Sequence, residues 1–120
     1  MSLKDRIHFL TQPAEVDAFL KANPVAAIFK VGVCHKTQET FVHVQKHLEA
    51  RDDLPLGIIR VVESRPASNH VASLTGITHE SPQLIFFRDG KAVFDRDNWD
   101  ITDEAVAEGL EGHLARSPVL

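Results

Sequence analysis

Apolar residues along this chain follow two kinds of spacing. Val25-Ala26-Ala27-Ile28-Phe29, continued at Val31, is nearly unbroken and reads as a strand buried on both faces. Gly57 to Val62 is a second run, rich in β-branched residues, and Ile7 to Leu10 is short enough for an edge strand. Elsewhere the apolar positions spread to helical intervals. Val16, Phe19 and Leu20 mark one helix, and Phe41, Val44 and Leu48 mark a second that runs from about Cys34 to Ala50. Val71 and Leu74 define the buried side of a third; Val106, Leu110 and Leu114 define a fourth.

The breaks between these runs agree with them. Thr11 is placed to cap the first helix, which carries Pro13 in its first turn, and Asn23-Pro24 ends it. Asp52-Asp53-Leu54-Pro55 interrupts the pattern after the second helix. Ser64-Arg65-Pro66 opens the third, with Gly76 as its stop. Leu84 to Phe87 and Ala92 to Phe94 flank Asp89-Gly90, a strong tight-hairpin signal. Thr102 caps the last helix, Asp103 and Glu104 sit at its positive end, and Ser117-Pro118 ends it. The predicted order is β-α-β-α-β-α-β-β-α, an α/β architecture with a central mixed sheet flanked by helices. Its first part alternates as a parallel sheet does, and the hairpin adds antiparallel strands.

Composition narrows the reading. A chain of 120 residues with 43% hydrophobic and 25% charged residues is expected to form a single globular domain over 1–120. A net charge of −4 with scattered basic residues argues against a nucleic-acid partner. No apolar run reaches the ~18 residues of a membrane span. Met1 to Arg6 is not followed by an apolar secretory segment, and one cysteine cannot form an internal disulfide. Both fit a reducing cytoplasm.

That cysteine is the candidate nucleophile. Cys34 falls where the buried strand passes through Gly32 into the second helix, and a thiol at a helix start is stabilised as thiolate. His35 and Lys36 add positive charge beside it, and Thr37 offers a hydroxyl one turn on. A lone cysteine is more often a small buried hydrophobe, so position decides. His35, Glu39, His43 and His47 recur every fourth residue, but the apolar set claims the buried face. A solvated polar stripe is the expectation, with no metal site. The acidic runs Asp52-Asp53 and Asp95 to Asp100 read as turns and caps.

The element order is that of the thioredoxin fold. Cys34 follows the second strand where that fold keeps its reactive cysteine, and Ser81-Pro82 precedes the hairpin where it keeps a cis-proline. More narrowly, Phe29-Lys30, Cys34, His79-Glu80-Ser81-Pro82-Gln83, Arg88-Asp89-Gly90 and Trp99-Asp100-Ile101-Thr102 resemble the monothiol bacilliredoxins of the YtxJ type. The likeness spans roughly the whole chain. It departs at the centre, where Val33-Cys34-His35-Lys36-Thr37 stands for the usual Thr-Cys-Pro-Ile-Ser.

The resemblance implies a glutaredoxin-like oxidoreductase that removes bacillithiol from mixed disulfides on cytoplasmic proteins. Bacillithiol is then a co-substrate, and no cofactor is tightly bound. The implied partners are S-thiolated proteins, a low-molecular-weight thiol and an external dithiol reductase. Pro82 would be cis, turning the backbone of Ser81 outward as a short edge for an extended thiol or peptide. Lys30 would reach the carboxylates of an anionic thiol from a cationic rim and support the thiolate. Trp99 and Asp100 would line a groove, unless Trp99 covers the sheet edge. Two rival readings are a non-catalytic binding module and a stress sensor that simply becomes S-thiolated.

Overall fold

Alternate residues of one strand divide the core of this protein in two. In the computed structural model, which describes residues 2–33 and 35–114, strand β2 (Val25–Val31) is buried along its centre. Ala27 and Phe29 pack on one side with Val44, Leu48, Leu84, Phe86 and Leu110. Ala26 and Ile28 pack on the other with Val16, Phe19, Ile59, Val71 and Ile85. Burying each such large side chain contributes roughly 1.5–3 kcal/mol, so both layers hold β2 in place.

The other elements follow in the expected order: β1 (Ile7–Phe9), α1 (Pro13–Ala22), then after β2 come α2 (His35–Glu49), β3 (Leu56–Arg60), α3 (Arg65–Thr75), β4 (Gln83–Arg88), β5 (Lys91–Asp97) and α4 (Asp103–His113). Short 3-10 turns occupy Leu3–Arg6 and Asn98–Asp100. The sheet runs β1-β3-β2-β4-β5. β3 pairs parallel with β1 and β2, whereas β4 pairs antiparallel with both β2 and β5. The hairpin turn places Asp89 and Gly90 at positive φ (52° and 79°), as an Asp-Gly turn requires.

Several local details differ from what the sequence predicts. Gln12, not Thr11, is the N-cap of α1: Gln12 and Glu15 form a reciprocal capping box, and Thr11 adds its own hydrogen bond to Glu15. On α2 the fully buried set is Thr40, Val44 and Leu48. Thr40 tolerates burial because its hydroxyl donates to the Lys36 carbonyl at 2.7 Å. Phe41 is half-buried and stacks on Phe29, ring centroids 5.7 Å apart. Leu74 is exposed rather than buried, because the last turn of α3 opens into a surface cleft shared with Leu20, Pro24 and Asp89. Thr102 does cap α4, accepting from the Ala105 N–H at 3.1 Å. That helix ends at His113; Ser117-Pro118 lie outside the described residues. Arg6 is buried and closes the far end of α2, donating to the Leu48 and Leu54 carbonyls at 3.1 and 2.6 Å.

The two glycines of α4 should respond oppositely to alanine. A Cβ on Gly109 would lie 2.7–2.8 Å from the rings of Phe94 and Phe86, whereas one on Gly112 meets nothing within 4 Å. Gly109→Ala should destabilise by about 1–3 kcal/mol through overpacking. Gly112→Ala should stabilise by up to about 1 kcal/mol through helix propensity. Urea unfolding of the two variants checks this, and equal shifts would refute the packing argument.

Candidate functional site

β2 delivers the chain to a short loop at its C-terminal end, and three segments meet there. Gly32 and Val33 form the loop, Cys34 itself lies outside the described residues, and α2 begins at His35. The Gly32 N–H donates to Thr37 Oγ1 at 3.1 Å, fastening the loop to the first turn of α2. Val33 is 92% exposed and His35 is also exposed, so the residues on either side of the cysteine face solvent.

Residues 76–82, between α3 and β4, bring the second segment. The Ser81-Pro82 peptide is cis, as the resemblance implies. A Cβ on Gly32 would sit only 2.8 Å from Ser81 Oγ, so the loop and this segment touch where glycine leaves room. Ser81 Oγ is buried and has no hydrogen-bond partner among the described residues.

The third segment is Asn98–Asp100. Asn98 (φ 49°) donates its backbone N–H to the Pro82 carbonyl at 2.9 Å. Its side-chain oxygen accepts from Lys36 Nζ at 2.9 Å, and its amide nitrogen reaches Glu80 Oε1 and Asp97 Oδ1, each at 3.3 Å. One asparagine thus ties α2 to both other segments. Sequence reasoning missed it. The structure also places the Lys36 ammonium on Asn98. Trp99 is 53% exposed, with its ring centroid 6.0 Å from that of His35, so it stands at the rim instead of capping the sheet edge. Asp100 is exposed at the same rim.

Lys30 is where the structure corrects expectation most. It is not a rim lysine but wholly buried, pointing to the α3 side of the sheet because it follows Ala26 and Ile28 in strand alternation. Its ammonium donates to the Ser68 carbonyl at 3.0 Å and lies 3.2 Å from His79 Nδ1. Ser68 Oγ also lies 3.2 Å from that nitrogen. Burial pushes the Lys30 pKa down to about 8. The His79 pKa is lowered too, first by partial burial and then by the Lys30 charge. Facing Lys30 across the strand pair, Gln83 is fully buried and donates to the Thr78 carbonyl at 2.9 Å.

The histidine stripe on α2 is also not simply solvated. His43 Nδ1 and His47 Nε2 converge on Asp103 Oδ1 at 3.1 and 3.2 Å, with Lys46 Nζ 3.8 Å from the other oxygen. Burial raises the Asp103 pKa, but these partners outweigh it and hold the carboxyl below its ordinary range. The contact joins α2 to the first turn of α4. Among the described residues, no group of three or more His, Cys, Asp or Glu side chains could hold a metal ion.

Solved structures share this architecture. A putative oxidoreductase with a thioredoxin fold matches with a TM-score of 0.81 and 24% identity, covering 88% of this chain and 95% of that one. Mitochondrial thioredoxin 3 from Saccharomyces cerevisiae matches at 0.74 and 19% identity, over 92% and 99% of the two chains. A point-mutant thioredoxin from Halobacterium salinarum NRC-1 matches at 0.73 and 21% identity, over 95% and 96%. The molecule is a thioredoxin-fold protein. The model of the monothiol bacilliredoxin BrxC family matches residues 8–106, and the chain belongs to that family of thiol-redox proteins. No described helix is long and apolar enough to cross a membrane.

Lys30 sets up a stability test. Its pKa is about 8 in the fold against an ordinary 10.5, so between those values the unfolded chain binds more protons. Stability therefore rises with pH across that window and is lost as pH falls back through it. Lys30→Met removes a buried cation that has no carboxylate partner among the described residues, and should raise unfolding stability by about 1 kcal/mol or more at neutral pH. It should also flatten the alkaline rise, as read by urea midpoints from neutral to alkaline pH. A destabilised Lys30→Met with an unchanged alkaline slope would contradict the burial argument.

Proposed function

We propose that this protein is a cytoplasmic monothiol oxidoreductase that removes bacillithiol, or a similar small thiol, from mixed disulfides on proteins. The match to a monothiol family over residues 8–106 carries this reading. The convergence of the Gly32 loop, the Ser81-Pro82 segment and the Asn98–Asp100 turn supports it.

In the proposed cycle the Cys34 thiolate attacks the bacillithiol sulfur of a protein mixed disulfide. That S–S bond breaks, a Cys34–bacillithiol disulfide forms, and the target leaves as its thiolate, which takes a proton from solvent. No net oxidation occurs in this step. The chain has no second cysteine to resolve the new disulfide. An external thiol, either another bacillithiol or a dithiol protein, attacks it and regenerates Cys34. Ser81 and the rim residues Trp99 and Asp100 are the proposed substrate contacts. Thr37, His35 and Lys36 act on the thiolate from the first turn of α2, at the positive end of the helix dipole. The binding part of the Lys30 reading gives way to a role behind the site.

A bacillithiolated probe protein tests the proposal. Wild-type protein should accelerate release of the probe thiol and acquire a bacillithiol adduct on Cys34, seen by mass spectrometry. Cys34→Ser should fall to the uncatalysed rate. Equal release by both proteins would overturn the enzymatic reading. An adduct without faster release would leave the protein as a thiolated sensor.

A further inference from the structure

Residues 76–82 form no helix or strand, and Thr78, His79 and Glu80 are all exposed, yet this segment carries Ser81 against the loop. Gln83 holds it at the Thr78 carbonyl and Asn98 at Glu80 and Pro82, and between those points its anchor is one nitrogen of His79. His79 Nδ1 lies 3.2 Å from both Lys30 Nζ and Ser68 Oγ, and Lys30 is itself pinned by the Ser68 carbonyl. The ammonium has no lone pair, so Nδ1 must accept from it. That is possible only when His79 is neutral with its proton on Nε2. A protonated ring would point an N–H at a buried cation.

We infer that Lys30 and His79 form a tether that positions residues 79–82 for substrate, and that protonating His79 releases it. Lys30 and His79 are thus positioning residues. The inference rests on the proposed role of Ser81 as a substrate edge and adds how that edge is held and when it lets go. The charged groups acting on His79 come from three elements. Lys30 on β2 and Arg65 on α3 disfavour the cation, while Glu80, next in the same segment, favours it. With the balance below the ordinary value of 6.5, the tether is closed at neutral pH and opens on acidification. The Lys30 ammonium meets a carbonyl and an imidazole rather than a carboxylate, and a methionine of similar length would fill the same space at lower desolvation cost. A purely structural role would not select a lysine there.

Two readouts on the full chain test this. The first is ring-edited nitrogen NMR of His79 across pH. The Nε2–H tautomer should dominate at neutral pH, and Lys30→Met should raise the titration midpoint and move the amide shifts of Ile77 to Ser81. The second is KM for a bacillithiolated probe between about pH 7.5 and 5. In the wild type it should climb about tenfold on acidification, the size expected for losing one charge-assisted hydrogen bond. His79→Asn, whose amide oxygen can take the place of Nδ1 but does not titrate there, should abolish that climb. Lys30→Met should show a raised KM at every pH without loss of stability. The tether is refuted if His79→Asn keeps the wild-type acid climb, or if Lys30→Met leaves both KM and the His79 titration unchanged. Should the wild type fail to process the probe, the proposed activity falls, and the NMR titration alone still decides the tether.

Discussion

The structure depends on β2 being paired on both edges and covered on both faces. β3 and β4 take its hydrogen bonds, and two separate apolar layers take its side chains. A strand held in this way cannot shift without disrupting both halves of the core. Its C-terminal end is therefore a fixed point, and the loop leading to Cys34 is mounted directly on it. β4 is the neighbouring strand, and its register with β2 places Gln83 opposite Lys30. The same register brings Ser81 beside Gly32. The meeting of segments at the site is thus a consequence of sheet pairing.

The end of the sheet that leads to Cys34 is also where the packing rules are relaxed. Through the middle of β2 and β4 the buried residues are Ala, Ile, Leu and Phe, whereas at the end they become Lys30 and Gln83. Ser81 Oγ and Gln83 Oε1 are buried without a partner among the described residues. Unsatisfied buried polar groups cost about 1–3 kcal/mol each, and such departures collect where function requires them. The loop and the Asn98–Asp100 turn instead expose apolar side chains, at Val33 and Trp99.

Much of this was legible because it is local. Element order follows from apolar spacing, the hairpin from Asp89-Gly90, and the α4 cap from Thr102, since each depends on residues close in sequence. The α1 cap was misplaced by one residue because Thr11 and Gln12 both bond to Glu15 and only backbone geometry separates them. The wall formed by Ser81-Pro82 came from resemblance to a family; spacing alone is silent on it. Asn98 left no signal at all. Its role arises from a left-handed backbone at the end of β5 that brings one amide to Lys36, Glu80 and Asp97 together.

By itself the sequence determined the succession of strands and helices, the family, and the place of the one cysteine between β2 and α2. Periodicity, capping and turn chemistry act over a few residues and are written directly in the chain. The tertiary structure decided which side chains face each other across long separations. It turned Lys30 inward to Ser68 and His79, joined His43 and His47 to Asp103, and set Lys36 on Asn98. Those pairings depend on how strands register and helices dock, and a residue's type alone does not say which partner the fold will bring within reach.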